Sequence, residues 1–397
     1  MSQPAVCYQA KWLIPVDQPP IENGLLTVAD GRIVAVGENL AGVAPIDLGE
    51  VALAPGLVNA HTHLEFSDVE QPLGEAGMAF PLWIQQVVGR RRVAGELLES
   101  QKVAAISTGI RESQEQGIAA LGEITTVPYS LEMYAAEPGV VSLLELIGLS
   151  PERGAELLDN AKRHLQQGKS RGVPVGLSPH APYSVNFDVV AAAAQLSAES
   201  KTPLAMHLAE SPDELELLDS QGGLFREMLE KFGIWRDGLL EPGKGPLDYL
   251  QMLDVAHHTL LIHGNYFDEA AIDYVAARPQ RMTVVYCPRT HAYFGHPKHP
   301  LPELYRRGVA LAIGTDSRAS TPDLSLWRDV QLAAKSFPEI PPEAWLKMVT
   351  QTPAAALGID HNYGSLTVGK LAKLITFRLD GFANPLEAIL VAEPTPV

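Results

Sequence analysis

Apolar residues fall along this chain in short runs set between longer amphipathic stretches. Eight runs recur: LAPGLVNAH (53–61), IAALGEITTV (118–127), VVSLLELIG (140–148), VPVGLSPH (173–180), PLAMHLAE (203–210), TLLIHGNY (259–266), MTVVYCPR (282–289) and VALAIGTDS (309–317). Helical patterns separate several of them, PERGAELLDNAKRHLQQGK (151–169) and NFDVVAAAAQLSAESK (186–201) among them. Alternating strand and helix predicts parallel strands joined by crossover helices. Near-continuous apolarity marks strands buried on both faces. Eight such units predict an α/β protein built on a (β/α)8 barrel of the TIM type. Between the second and third runs, Pro128 and Pro138 bound a segment too short for a clear crossover helix.

The ends of the chain read differently. ENGLLTVADGRIVAVG (22–37) alternates apolar and polar residues around Asp30-Gly31, a hairpin signal. YGSLTVGKLAKLITFRL (363–379) adds turn glycines and a short apolar strand. Neither piece could bury a core alone. A small β-sandwich domain from residues 1–53 and 360–397 is expected, with the barrel over 54–359. One insertion, residues 222–250, lies between the fifth and sixth strands and carries Phe225, Phe232 and Trp235. It reads as a lid over the barrel mouth or as a surface helix packed on the barrel.

Composition narrows the partners. The chain has 397 residues, 46% of them hydrophobic and 19% charged, which fits a folded protein with a large core. Its net charge of −17 argues against a nucleic-acid backbone as partner. No polybasic cluster suggests anionic lipid, and no apolar run reaches membrane-span length. MSQPAVCYQAKW lacks the charged and apolar regions of a secretory signal. Cys7 and Cys287 define no disulfide framework, so a cytoplasmic location is expected. The partner expected is a small-molecule substrate, with a homodimer left open.

The chemistry gathers at the strand ends. His61 and His63 stand two residues apart, and on a strand such residues share a face. His180, His207, His263 and Asp316 each lie at the end of a later run, and Glu210 follows His207 by three. The C-terminal ends of barrel strands are where such folds do chemistry. Imidazoles with a carboxylate suit zinc or iron(II), and the lack of a cysteine cluster disfavours a structural thiolate site.

PGLVNAHTHLEF, HLAE, IHG and GTDS, in this order, are similar to the amidohydrolase superfamily and, within it, to the branch of cytosine deaminases and chlorohydrolases. The resemblance covers the whole chain. It implies that His61, His63, His207 and Asp316 bind one divalent metal, zinc or iron(II). Binuclear relatives need a bridging lysine near the fourth strand end, and LSPHAPYS has none, so a mononuclear site is expected. Such a metal lowers the pKa of its water from about 15.7 toward ~7. Glu210 would carry protons, His263 would hydrogen-bond the attacking oxygen, and Asp316 would also orient it. The product of such chemistry on a purine is ammonia.

The same resemblance implies substrate contacts. His180, in SPHAPYS, Ser320, four residues after Asp316, and Trp83, in FPLWIQQVV, match positions that contact nucleosides in this branch. CPRTHAYFGH (287–296) departs from the pattern of many nucleoside deaminases. It offers Arg289 for a carboxylate and His291 and Phe294 for an aryl group. Glu145 is expected on ribose hydroxyls or as a buried structural acid. HTHLEFS with CPRTHAYF is similar to the deaminases of 6-amino-6-deoxyfutalosine, an adenine nucleoside bearing a benzoate in a menaquinone route. The alternatives within the class are deamination of methylthioadenosine, adenosylhomocysteine or a free purine, and dechlorination of a triazine. Outside it stands a catalytically silent barrel that binds or assembles, or one with a purely structural metal.

Overall fold

The structure is a computed structural model that describes residues 4–40, 43–96, 99–127, 129, 131–135, 137 and 139–397, with the backbone alone for 92–96 and 99. Eight strands form one parallel sheet in chain order: β1 Leu57–Thr62, β2 Ile118–Thr125, β3 Val140–Leu146, β4 Val175–Pro179, β5 Pro203–Leu208, β6 His258–His263, β7 Met282–Tyr286 and β8 Ala310–Ile313. The sheet closes where Thr62 and Asp316 make a parallel bridge between the ends of β1 and β8. Gly314 allows that approach: a Cβ there would sit 2.9 Å from the His61 Cβ. The fold is therefore the expected (β/α)8 barrel. Crossover helices Gly154–Arg171 and Phe187–Ser200 occupy the two strongest helical patterns. A four-residue helix, Glu132–Ala135, lies between β2 and β3; Pro128 and Pro138 fall outside the described residues. Side chains from separate strands, Val58, Ala120, Val141, Leu260 and Val285 among them, pack in one cluster with Leu357. The lumen is thus filled.

The first apolar run proves to be two strands. Val51–Pro55 joins the terminal sheet, antiparallel to Leu374–Arg378 and parallel to Val6–Leu13. The chain then enters the barrel through Gly56, where a Cβ would meet the Ala119 Cβ at 2.7 Å. Apolarity runs unbroken across this junction because both sheets bury it. The seven-stranded terminal sheet contains the hairpin at Asp30-Gly31, both with positive φ as such turns require. Not all of the C-terminal segment stays there. The helix Pro385–Val391 packs on the barrel helices Leu326–Ser336 and Pro342–Met348. Trp327 donates its indole N–H to the carbonyls of Ile389 and Ala392, at 3.1 and 2.9 Å.

Candidate active site

Strand order brings the scattered donors together. His61, His63 and His207 present ring nitrogens that all lie within 4.8 Å of one another. Nε2 of His63 stands 3.3 Å from Nε2 of His207. Oδ1 of Asp316 lies 3.7 Å from His61 Nε2 and 3.8 Å from His63 Nε2. A tetrahedral ion with ligands at about 2.0–2.1 Å would space its donors about 3.3 Å apart. Both ring nitrogens of His61 and Nδ1 of His63 are buried without a hydrogen-bond partner. Burial, and then the neighbouring histidines, hold the imidazoles of His63 and His207 well below their usual pKa, in the neutral form that ligates cations. The donor set therefore fits a divalent ion.

The backbone fixes these donors. The β1–β2 pairing slips between Asn59 and Thr62, so an irregular ladder, beyond simple alternation, aims the two histidines. The Asn59 amide ties β1 to the end of β8: its NH2 donates to Thr315 Oγ1 at 2.8 Å, and its oxygen accepts from the Thr315 N–H at 3.2 Å. Thr62 donates its hydroxyl to the Asp316 carbonyl at 2.8 Å. His207 Nδ1 lies 2.9 Å from the His180 carbonyl, so that nitrogen carries the proton and Nε2 keeps its lone pair. His263 and Asp316 both adopt positive φ, 72° and 55°, an uncommon backbone region that collects at functional sites.

Glu210 is buried, and its Oε1 lies 3.2 Å from Nε2 of His263. The SPDE segment that follows explains its placement. Ser211 caps the helix Pro212–Ser220 by accepting from the Glu214 N–H at 3.2 Å. Glu214 reaches back and accepts from the N–H groups of Ala209 and Glu210, at 2.8 and 3.0 Å. Asn265 donates to the Glu210 carbonyl at 2.9 Å. The helix-start carboxylate is therefore Glu214, and Glu210 is free to face the donors. Burial, then Asp316 and Glu214, push the Glu210 carboxyl well above its usual pKa. Burial and the other histidines push His263 well below its own.

A cavity of about 520 Å³ opens above this floor. His180 and Trp83 line it. Trp83 stacks on Phe80 with ring centroids 5.8 Å apart and donates its indole N–H to the Ala319 carbonyl at 3.3 Å. The insertion takes the packed-helix form of its two readings and also contributes to the cavity wall. Its helix Gly223–Lys231 packs on the barrel through buried Phe225, which stacks on Tyr183 at 4.2 Å, and Phe232 and Trp235 face the cavity.

Five expected substrate contacts, Arg289, His291, Ser320, Glu145 and Phe294, do not line the cavity. Arg289 turns away into a structural ion pair: Nε lies 2.8 Å from Asp329 and Nη1 lies 2.6 Å from Asp323, while Nη2 donates to the Asp323 and Ser325 carbonyls. No part of it lines the cavity. His291 is buried behind the wall, its ring 5.4 Å from that of Tyr286, and burial lowers its pKa to about 4. Ser320 supports Asp316, its hydroxyl 3.3 Å from Oδ2, and also meets Thr290 at 2.8 Å. Glu145 is a buried acid, held by Arg91 at 3.1 Å and facing His180 Nε2 at 3.7 Å. Phe294, likewise, packs edge-on against Phe80 and Trp83 from behind.

Other groups carry no expectation from the sequence reading. Arg91 lines the cavity and bridges Glu145 to Glu65, at 2.6 Å. Burial opposes ionisation of Glu65, yet Arg91 and Lys102 together hold its carboxyl below the usual range. Glu65 was visible inside HTHLEFS, and Glu214 in the capping pattern SPDE. Nothing local marks Arg91 beyond its place on the helix Phe80–Glu96.

Residues 52–395 match the family model described as the amidohydrolase family. The chain is 28% identical over 346 residues to an aminodeoxyfutalosine deaminase of Deinococcus radiodurans, covering 80% of this chain and 79% of that one. It is 25% identical over 378 residues to a 5-methylthioadenosine/S-adenosylhomocysteine deaminase of Syntrophobacter fumaroxidans, covering 89% and 80%. The crystal structure of Helicobacter pylori aminofutalosine deaminase with methylthio-coformycin superposes with a TM-score of 0.84 at 23% identity, over 98% of this chain and 97% of that one.

Proposed function

The chain belongs to the amidohydrolase family, and from that premise we propose that it is a hydrolytic deaminase of an adenine nucleoside, with 6-amino-6-deoxyfutalosine as substrate. The observation that carries the reaction class is the convergence of His61, His63, His207, Asp316, Glu210 and His263 at one barrel mouth. The likeness to deaminases of aminodeoxyfutalosine and the aromatic wall at Trp83 and Phe232 favour the substrate.

His61, His63, His207 and Asp316 would hold a single divalent ion, zinc by the character of the donors. When bound, such an ion supplies Lewis acidity, bringing the pKa of a ligated water toward ~7. The remaining work falls to the protein. Glu210, whose carboxyl burial pushes well above its usual pKa, is placed to protonate the purine ring nitrogen and so make the adjacent carbon electrophilic. It then takes up one proton of the attacking water and passes it to the departing amine, which leaves as ammonia as the C–N bond breaks, and the remaining hydroxyl proton returns to Glu210 as the carbonyl forms. His263, neutral and 3.2 Å from Glu210, holds the hydrogen bond that orients this exchange. Ser320 steadies the second oxygen of Asp316. His180, fixed by its Nδ1 contact of 2.7 Å with Ser184, offers Nε2 to the ligand. The aromatic wall and the insertion helix exclude water.

Steady-state ammonia release from 6-amino-6-deoxyfutalosine, methylthioadenosine and adenosine tests the proposal. The first should show the highest kcat/KM by ~10-fold or more, a discrimination that a few matched contacts supply. A preference for methylthioadenosine would move the assignment to the second relative's activity.

A further inference from the structure

With Arg289 committed to Asp323 and Asp329, the anionic end of a substrate needs another partner. Among the described residues, the cavity's cationic side chains are Arg91, Arg153 and Arg236. Arg91 is already shared between Glu65 and Glu145. The other two differ from it in every respect that matters. Both are exposed, whereas the donors on the floor are buried, so they stand at the outer end of the cavity. The side chain of Arg153 makes no ion pair or hydrogen bond among the described residues. Arg236 reaches Glu152, the residue before Arg153, with Nη2 2.6 Å from Oε2. That contact brings the insertion against the segment after β3, and both arginines line the same cavity. Glu152 occupies Arg236 through a solvent-exposed pair, the kind a ligand carboxylate can replace at little cost.

We propose that Arg153 and Arg236 form the anion subsite of this cavity and receive a carboxylate at the far end of the nucleoside's 5′ extension. The assignment rests on the nucleoside-deaminase reading and adds to it the group that selects among nucleosides. Two features favour a carboxylate on an apolar spacer. Ile84, Val87, Leu229 and Phe232 line the same cavity as the buried floor and the exposed arginines, so the ligand's middle meets apolar wall. Two forked donors also match the planar bidentate geometry of a carboxylate. The protein's charge of −17 repels anionic ligands in general, and a local pair of guanidiniums offsets this where the ligand enters.

The test compares matched ligands on the metal-loaded full-length protein: 6-amino-6-deoxyfutalosine, its methyl ester, and adenosine 5′-monophosphate. The ester keeps the spacer and removes the charge; the nucleotide keeps an anion and removes the spacer. The wild type should favour acid over ester by ~10-fold or more in kcat/KM, as charge-assisted bidentate contacts allow. In Arg153→Ala/Arg236→Ala the ratio should fall to near one, with the change in KM. Exposed positions tolerate such substitution without unfolding, and the ratio within each enzyme is insensitive to overall activity. No acid-over-ester preference in the wild type, a preference that survives in the double variant, or arginine dependence for the nucleotide alone would each overturn the subsite. If neither matched compound is a substrate, the functional reading fails separately. The same pair then serves as inhibitors of whichever nucleoside is deaminated. Tighter inhibition by the acid only when both arginines are present upholds the subsite, and equal inhibition overturns it.

Discussion

Nε2 of His263 and Oε1 of Glu210 stand 3.2 Å apart with both side chains buried, one pushed toward the neutral imidazole and the other toward the neutral acid. A neutral pair at that distance holds one proton, and the carboxyl is the member that can give it to a substrate. Glu210→Gln keeps the shape and a donor but carries no transferable proton. It should retain its metal and lose ~10²–10⁴-fold in kcat, the usual weight of a general acid–base group. Ammonia release and metal content on the same sample check this. Near-normal kcat would exclude Glu210 as the proton carrier.

The 3.3 Å approach of His63 Nε2 to His207 Nε2 matches the spacing of two donors on one tetrahedral ion. Chelation should therefore abolish turnover, and zinc should restore it at one equivalent per chain. Removal should also lower the thermal midpoint, since an ion bound only by the native state stabilises it. Full activity in protein shown by elemental analysis to hold no transition metal would defeat the assignment.

Arg289 makes the opposite prediction from a substrate contact. Its partner Asp329 is fully buried, so Arg289→Ala would strand a carboxylate in the core. Breaking a buried pair in this way costs about 3–5 kcal/mol. Denaturant unfolding should show that loss, while KM values for acidic and uncharged nucleosides move together. Unchanged stability with a KM rise confined to acidic substrates would return Arg289 to the site.

The contrast between Arg289 and His207 shows what the chain's pattern could reveal. His207, like His61, His263 and Asp316, lies within three residues of the C-terminal end of a barrel strand, and eight parallel strands must end on one rim. Local periodicity therefore placed the donors. Arg289 begins a short helix beyond β7, where periodicity no longer sets direction. Its direction is decided by Asp323 and Asp329, some way along the chain, and nothing near Arg289 announces them. The same holds for Glu145, which follows Arg91 from a helix far earlier in sequence. The missed junction at Gly56 has a different cause. Two sheets bury adjoining strands, and continuous apolarity hides the turn between them.

A final prediction concerns stability and pH. His164, on the helix Gly154–Arg171, is buried, with Nε2 2.9 Å from the Ser142 carbonyl and Nδ1 against the Tyr129 hydroxyl. Burial lowers its pKa to about 4, although the bond to Ser142 works the other way. In the unfolded chain the same group titrates near its ordinary value, about 6.5. Between those two values the unfolded state binds more protons than the native state, so stability rises with pH across that window. The contribution is complete above about pH 6.5 and is lost as pH falls toward 4. Denaturant unfolding measured from pH 7 to pH 4 should show this acid slope, summed with those of other buried histidines. His164→Gln removes one titrating group, so its slope should be shallower by up to one proton, and the variant should lose less stability on acidification than the wild type. Parallel slopes for the two proteins would mean that His164 takes up its proton in the folded state without penalty, contrary to its burial.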